Sequence, residues 1–520
     1  MELKQYQKDV LREVGRFART YVMTRDAAMA YDQFMVDIGL TPRQGGIERY
    51  RDDLDGIPKV CVKVPTGGGK TFIGACAIDV LSDALPSHDE VVVWLVPRRE
   101  ILVQTLRNFR NPEHFLRMRL DRDFAGRVEV LDKEDGLRGR SFSAATVGDQ
   151  LTLFVLSYDS FKNKDGRRAY AENSSLAGLT AYQQDVGRAV DVEGADDTAL
   201  ISALAGTNPI VIVDESHHAG SKLSLDMLRN LNPRFVLELT ATPGKGANVI
   251  AQATARQLKR EEMVKLPVVV YRRPDKRTTI SDAVMLQRRL EAIAEQEEAR
   301  TGRYIRPIVL FQAERRGAEG RRPTRNSRKR LIEGGIPAEQ IAVRTGDVDE
   351  IGGADLMSRA CPIRFIITVE ALAEGWDCPF AYVLATVANK SSQVSVEQIV
   401  GRVIRQPYAV RAGRVASTSR MCLRHRQTST RRSSRSFVAL MGWASRRRMW
   451  LQLILSLPLF KDESISLLRM SRAVAPLAPA TERVTSILMG LTYVSLGTAL
   501  DSEPTGAPLR LMSFWLNLVP

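Results

Sequence analysis

Cysteine is scarce in this chain. Its five cysteines lie far apart in 520 residues, and no two of them form a Cys-x-x-Cys pair. Only Cys422 has a histidine nearby, His425, and no further ligand lies close enough in sequence to complete a metal site. This spacing argues against a disulfide scaffold and a zinc module, and it favours a reducing compartment. We therefore predict a cytoplasmic protein.

Long apolar runs and an apolar leader are also missing. The chain starts with a charged stretch instead of a basic-then-apolar signal. Segment 449–460 is apolar but shorter than the roughly 20 residues that span a bilayer, and segment 484–500 is diluted by Ser, Thr and Gly. We therefore predict no membrane contact. The composition, 44% hydrophobic and 26% charged, is ordinary for a globular protein of several domains.

Acidic residues become rare toward the end of the chain. After residue 400 there are 18 Lys and Arg against 5 Asp and Glu, which leaves 57 against 55 for the first 400 residues. Segment 411–450 alone holds eleven Arg and no Lys, Asp or Glu. The formal net charge of +15 therefore belongs mostly to the last quarter and says little about what the main body binds.

The first 400 residues alternate between short β-branched runs and helical patterns, which predicts parallel sheets flanked by helices. The predicted strands are 59–64, 91–96, 151–156, 209–213 and 234–239, then 307–312, 340–344, 364–368 and 382–386. A charged, helix-prone stretch, 286–300, lies between the two sets, and 161–207 forms a long, weakly patterned insert. We predict an α/β protein with two parallel-sheet domains in tandem, residues 1–264 and 265–408, and a disordered or non-native tail, 409–520.

A glycine-rich turn follows the first predicted strand and precedes a helix. Glycines let backbone N–H groups close around an anion, and the helix N-terminus adds favourable partial charge. Lys70 would reach the β- and γ-phosphates of a nucleotide, and the Thr71 hydroxyl would bind Mg²⁺. The strict pattern has Gly where this chain has Val64, which counts against a generic nucleotide kinase. The predicted phosphate-binding residues are Thr66, Gly67, Gly68, Gly69, Lys70 and Thr71.

Two acids end the predicted strand 209–213. Asp214 and Glu215 would lie at the carboxyl edge of the sheet, where ligands bind in such folds. Asp214 would hold Mg²⁺ through its water shell, and Glu215 would orient or deprotonate an attacking water. No third ligand is spaced to make a metal site with His217 and His218. We expect His217 to link this site to the next motif.

Two further segments carry side chains that could sense a nucleotide. Thr240 and Thr242 follow strand 234–239, where their hydroxyls could hydrogen-bond the acidic loop. In the second domain a predicted helix contains three polar residues of interest, namely Gln398, Arg402 and Arg405. Its two arginines are three residues apart and share a face, and a guanidinium fork suits γ-phosphate oxygens. Two arginines on a solvated helix face are the alternative interpretation.

Taken in this order, the motifs resemble those of superfamily 2 DEAD/DEAH-like helicases, and most of all the Res subunit of type III restriction enzymes. The resemblance covers roughly residues 3–408. It implies two RecA-like domains with ATP and Mg²⁺ between them, Lys70 on one side and Arg402 and Arg405 on the other. Segment 374–379 is its most family-specific piece.

The resemblance also assigns residues that the spacing alone leaves open. Tyr6 and Gln7 resemble an adenine-reading element, and Gly375 and Asp377 join the nucleotide site. The residues that match nucleic-acid contacts are Pro97, Arg98, Gln104, Ser157 and Tyr158.

A DNA translocase or helicase is the activity that the resemblance implies, with domains that close and reopen around ATP. Phosphate contacts carry no sequence information. Sequence choice would therefore come from a separate modification subunit, the implied partner besides DNA. Two alternatives stay open: a nucleic-acid-binding remnant that does not hydrolyse ATP, and an RNA helicase.

The chain departs from Res subunits after Arg405. That family continues into a nuclease domain whose cluster of acids and a lysine holds Mg²⁺, whereas five acids and one lysine, Lys461, follow here. We therefore expect no endonuclease activity from this chain. The arginine-rich, lysine-poor tail suggests a reading-frame change near 408–414, and a basic arm that grips nucleic acid is the rival interpretation.

Overall fold

The structure is a computed structural model that describes most of the first 409 residues and one later segment. The described ranges are 2–39, 49–161, 168–215, 222–265, 268–273, 276–313, 323–345, 348–352, 354–369, 378–386, 403, 405–409 and 419–424.

Seven parallel strands form the first sheet, in the order β3-β4-β2-β5-β6-β1-β7. Their bounds are β1 Lys59–Lys63, β2 Val91–Val96, β3 Val128–Leu131, β4 Leu151–Ser157, β5 Ile210–Asp214, β6 Phe235–Thr240 and β7 Val249–Gln252. Strands β2, β4, β5 and β6 are buried along their whole length. Such continuous apolar runs occur because helices cover both faces of a parallel sheet.

Helices of the first half flank this sheet. Their bounds are α1 Gln5–Thr24, α2 Ala27–Asp37, α3 Lys70–Ala84, α4 Arg99–Arg110, α5 Phe115–Asp123, α6 Lys133–Arg138, α7 Ala177–Asp185, α8 Leu200–Gly206, α9 Lys222–Asn230 and α10 Ala255–Arg260, with short 3₁₀ turns at Tyr158–Phe161 and Ser174–Leu176. Helix α3 lies close to the sheet, since a Cβ on Gly74 would come within 2.6 Å of Trp94 and 2.7 Å of Leu239. This close packing fixes where the N-terminus of α3 points.

Six strands form a second parallel sheet, in the order β10-β11-β9-β12-β13-β8. Its strands are β8 Val268–Arg273, β9 Ile308–Gln312, β10 Ile341–Val343, β11 Phe365–Thr368, β12 Ala381–Thr386 and β13 Ser419–Arg424. The accompanying helices are α11 Lys276–Thr301 and α12 Pro323–Glu333, with 3₁₀ turns at Ala338–Gln340 and Pro407–Ala409. Two parallel sheets in one chain confirm the predicted α/β fold class.

Several parts of this architecture were not expected from the sequence, among them strands β3, β7 and β8. The insert 161–207 contains α7 and α8, and α8 is buried at every position. The amide of Gln183 donates to the Ala203 carbonyl over 2.8 Å and joins the two helices. Strand β13 lies within the predicted tail, yet it pairs in parallel with β12 and β8. The domain boundaries themselves stay predictions.

No helix in the described part of the chain combines the length and apolar character of a membrane span.

A buried carboxylate lies in the first sheet. Glu238, on β6, is buried, and burial raises the pKa of its carboxyl above the ordinary 4.5 despite the attraction of Lys59. The Lys59 ammonium is 3.6 Å from Glu238 and 2.6 Å from Asp53, so Asp53 is its closer partner. The protonated form of Glu238 is therefore favoured on folding.

This burial makes a pH-dependent stability prediction. Because the folded state holds the Glu238 proton more tightly than the unfolded state, folding stability falls as pH rises from 4.5 through the raised pKa. Glu238→Gln removes that loss and leaves Lys59 paired with Asp53. Thermal unfolding should show the variant gaining stability over the parent chain at pH 7.5 and little or none at pH 4.5. An equal difference at both pH values would contradict the account.

Candidate functional site

Three neighbouring parallel strands bring three predicted loops to one edge of the first sheet. Strand β6 lies between β1 and β5, with Lys63 paired to Thr240 and Asp214 paired to Leu239. All three strands run in the same direction, so the segments after their carboxyl ends meet. The glycine-rich turn, the acidic pair and the threonines therefore lie side by side at the carboxyl edge of the sheet, where ligands bind in open α/β folds.

The turn after β1 has the backbone of an anion cradle. Gly67 and Gly69 have φ angles of 85° and 73°, in the left-handed region that glycine adopts readily. Gly69 is the N-cap residue of α3, which begins at Lys70. Gly68 donates its N–H to the Pro65 carbonyl over 3.0 Å. The loop thus delivers N–H groups and a helix N-terminus to one place, which suits a phosphate.

Two polar contacts join the glycine-rich turn to the acidic pair. The Lys70 ammonium lies 2.9 Å from a carboxylate oxygen of Glu215. The Thr71 hydroxyl donates to Asp214 over 3.0 Å. Lys70 and Asp214 are 8% and 6% exposed, so both interactions are largely shielded from water. Glu215 has φ 57°, an uncommon conformation for a non-glycine residue, and it is held there at the end of β5.

Burial governs the protonation of Asp214. It raises the pKa of this carboxyl to about 6, and the neighbouring Glu215 charge adds to the effect, while Lys70 and Thr71 oppose it. Asp214 is therefore ionised at pH 7.5. A carboxylate beside a hydroxyl fits Mg²⁺, which takes oxygen ligands and uses few from the protein when it also binds phosphates and water. No cluster of three His, Cys, Asp or Glu suited to a metal occurs within the described residues.

The predicted coupling threonines lie directly behind the cradle. Thr240 is fully buried, and its carbonyl accepts the Val64 N–H over 2.9 Å at the start of the glycine-rich turn. Its hydroxyl accepts the Thr242 N–H over 3.2 Å. A shift of this segment would therefore move the entry to the phosphate loop.

Tyr6 and Gln7, expected to read adenine, contact the phosphate loop. The Tyr6 hydroxyl donates to the Gly68 carbonyl over 2.7 Å, and the Gln7 amide approaches the same oxygen at 3.3 Å. Both side chains are buried, and burial raises the pKa of the Tyr6 phenol. The N-terminus of α1 thus braces the loop from behind, and adenine reading stays a prediction.

The predicted nucleic-acid residues lie on β2, β4 and the segments after them. Val96 pairs with Ser157, so Pro97 and Arg98 follow one strand beside the end of the other. Arg98 is the N-cap of α4, and both it and Gln104, on that helix, are exposed. Ser157 and Tyr158 are buried. Arg98 and Gln104 are therefore accessible from solvent, whereas Ser157 and Tyr158 are not.

Several predicted residues lie outside the described part of the chain: His217, Gly375, Asp377, Gln398 and Arg402. Arg405 is described and half-buried, and it pairs with Val264 in an isolated antiparallel bridge.

Leu258, on α10, was not anticipated as part of this site. Its side chain is fully buried and would lie 3.2 Å from a Cβ on Gly68. It is an ordinary apolar residue 190 positions away along the chain, so no local pattern could have marked it.

Residues 1–245 match the protein family described as Type III restriction enzyme, res subunit. This match confirms, for that part of the chain, the resemblance inferred from the motifs. Comparison with curated proteins gives no match.

Solved structures that are similar to this chain at low sequence identity include a restriction-enzyme fragment, a Dbp5 variant and helicase Lhr. A fragment described as an HsdR subunit of a type I restriction enzyme from Vibrio vulnificus YJ016 is 14% identical, with a TM-score of 0.40 and coverage of 78% of this chain and 64% of that one. A Dbp5 variant from S. cerevisiae, bound to RNA and ADP–BeF3, is 12% identical, with a TM-score of 0.40 and coverage of 76% and 85%. Helicase Lhr from Mycobacterium smegmatis, bound to single-stranded DNA and AMP-PNP, is 19% identical, with a TM-score of 0.37 and coverage of 70% and 43%. The present chain thus spans less than two thirds of the HsdR fragment.

Gly68 gives a direct test of the cradle. A Cβ there would lie 2.5 Å from a Val64 methyl and 3.0 Å from the Pro65 carbonyl. Overpacking of this kind costs about 1–3 kcal/mol, so Gly68→Ala should weaken ATP binding by about 5- to 150-fold. Titration with a fluorescent ATP analogue measures the change.

Gly178→Ala is the matched control. It makes the same chemical change in α7, where a Cβ would meet nothing within 4 Å. Its ATP affinity should equal that of the parent chain. If Gly68→Ala binds as tightly as this control, the glycine-rich turn is not the phosphate site.

Proposed function

We propose that this chain is an ATP-dependent DNA translocase or helicase of a type III restriction-modification-like system. It would hydrolyse ATP between its two parallel-sheet domains. The observation that carries the proposal is the meeting of Lys70 with Glu215 and of Thr71 with Asp214 at one sheet edge, at 2.9 and 3.0 Å. The family match of residues 1–245 supports the same reading.

The glycine-rich turn would bind the triphosphate of ATP. Its backbone N–H groups and the N-terminus of α3 would hydrogen-bond phosphate oxygens, and Lys70 would bind the β- and γ-phosphates. Thr71 and Asp214 would hold Mg²⁺, which supplies charge neutralisation when bound.

Binding of the triphosphate would release Glu215 from Lys70. The phosphate oxygens compete with the Glu215 carboxylate for one ammonium, and they carry more charge. Glu215 would then be available at the end of β5 to orient and deprotonate the attacking water. The 2.9 Å ion pair between Lys70 and Glu215 would thus break when ATP binds. Lys70 would exchange the carboxylate for phosphate oxygens, and Glu215 would become free to act on water.

The second domain would contribute Arg402 and Arg405 to the γ-phosphate. Arginine fingers of this kind raise the rate of phosphoryl transfer by a factor of about 10³–10⁵. Gln398, Gly375 and Asp377 are proposed to line the same side, and His217, Thr240 and Thr242 to relay its state to the sheet edge. ATP-driven closure of the two domains would then shift a bound strand past Pro97, Arg98 and Gln104, with Ser157 and Tyr158 behind them.

Recognition of a DNA sequence would require another protein, because contacts to phosphate do not distinguish bases. We propose a modification subunit as that partner and the cytoplasm as the location.

The catalytic assignment predicts two different losses. Lys70→Ala should lower ATP turnover by about 100-fold or more, because one buried cation no longer meets the phosphates. Glu215→Gln should lower turnover by about 100-fold while ATP still binds, because only the water-activating group is lost. Steady-state phosphate release and equilibrium ATP binding separate the two.

Lys63→Ala is the control for the lysine variant, since Lys63 ends β1 and is exposed. It should keep normal turnover. Normal turnover in Lys70→Ala would show that the site assignment is wrong.

The choice of nucleic acid is a separate prediction. If the chain is a DNA motor, duplex or single-stranded DNA should stimulate its ATPase more than RNA does, and DNA affinity should change with ATP state. A non-hydrolysing remnant that binds through the arginine-rich segment would show neither effect. Its affinity would fall with salt at a log–log slope of about −0.7 to −0.9 per phosphate contact, whatever the nucleotide. Stronger stimulation by RNA would favour an RNA helicase.

A further inference from the structure

The chain passes from the first sheet to the second through a short buried segment, residues Met263, Val264 and Lys265, here called the connector. It lies between α10 and β8 and pairs with Arg405 and Gln406, at the end of the predicted arginine segment. Val264 forms an antiparallel bridge with Arg405. The Gln406 N–H donates to the Met263 carbonyl over 3.0 Å. Two main-chain contacts therefore join the connector to Arg405 and Gln406.

Lys265 attaches the connector to the second sheet. Its side chain is fully buried, and its ammonium donates to the carbonyls of Pro379 and Ala381 over 2.9 and 2.6 Å. The same nitrogen lies 3.9 Å from the ring centre of Tyr382. A buried ammonium is costly unless its protons are bonded, so these contacts define one favourable position. Because β12 begins at Ala381, Lys265 holds the connector to the start of that strand.

The other end of the connector contacts the phosphate-loop side. The Met263 N–H donates to the Leu258 carbonyl over 2.9 Å. Leu258 is the side chain that packs 3.2 Å from the Cβ position of Gly68. The connector thus contacts Leu258, which packs against the phosphate loop, through Met263, and it contacts Arg405 through Val264.

We propose that Lys265 is a positioning residue for ATP hydrolysis. By hydrogen-bonding the connector to the start of β12, it sets the place of Arg405, which is bridged to the connector. The inference rests on the proposed function, in which these arginines reach the γ-phosphate. A misplacement of about 1 Å in such a group can cost about 100-fold in rate.

Lys265→Met tests the proposal in the full-length chain, since it keeps an unbranched side chain only one atom shorter and removes every donor. We expect kcat for nucleic-acid-stimulated ATP hydrolysis to fall by about 10- to 100-fold. The KM for ATP should stay within about threefold, because the phosphate loop is intact. The control is Ile366→Ala, which destabilises β11 of the same sheet at a fully buried position away from the connector. It should lower the unfolding temperature and leave kcat near that of the parent chain.

A second variant disrupts the pairing of the connector with Gln406 by changing Gln406 itself. Gln406→Pro removes the N–H that the Met263 carbonyl accepts, and Gln406 already precedes Pro407, which favours an extended backbone there. It should reproduce the fall in kcat if Lys265→Met does not fold. A fall no larger than that of Ile366→Ala in both variants would overturn the proposal.

Hydrogen exchange separates this inference from the proposed function. If the parent chain has no ATPase, the proposed function fails, but the exchange rate of the peptide that contains residues 405–409 still reports the pairing. Faster exchange in Lys265→Met, and not in Ile366→Ala, supports Lys265 as the residue that positions this segment. Unchanged exchange overturns it.

Discussion

The ion pair between Lys70 and Glu215 is the contact on which the account depends. It forms only because β1, β6 and β5 are neighbours and run in the same direction, so that a lysine and a glutamate 145 positions apart along the chain meet at one sheet edge. Close packing of α3 on the sheet at Gly74 fixes the lysine, and the end of β5 fixes the glutamate. Lys70 is therefore held at this edge, largely shielded from water and paired with Glu215.

Buried cations have different partners in the two halves of the molecule. Lys70 and Lys59 pair with carboxylates in the first sheet. Lys265 and Arg306, in the second half, are bonded to main-chain carbonyls, and the Arg306 guanidinium donates to Ile363, Ser358 and Leu356 over 3.1, 2.8 and 2.7 Å. A phosphate can compete with a carboxylate for a cation, whereas carbonyls inside a strand or loop stay where they are. A cation paired with a carboxylate can therefore change partners, whereas a cation bonded to main-chain carbonyls keeps its position.

Local sequence patterns were sufficient for nine of the thirteen described strands and for the glycine-rich turn before α3, but they missed β3, β7, β8 and β13. Runs such as Val91–Val96 are long, β-branched and bounded by turns, and the glycines before Lys70 mark a turn that other residues adopt less readily. The same patterns could not reveal contacts between distant segments. The hydrogen bond of Tyr6 to Gly68 spans 62 positions, and α8 is too short and too uniformly apolar to show a helical period. Strand β13 escaped notice because its arginine-rich surroundings have the composition of a tail. The roles of the site residues remain predictions.

Covalent labelling with an acyl-phosphate derivative of ATP tests directly whether Lys70 lies at the terminal phosphate of bound nucleotide. Such a reagent transfers its acyl group from the terminal phosphate to the nearest lysine nitrogen, so the modified residue reports which ammonium lies at that phosphate. The account predicts that peptide mapping finds Lys70 as the main labelled lysine and that excess ATP with Mg²⁺ protects it. Labelling spread over exposed lysines such as Lys63, without protection by ATP, would contradict it.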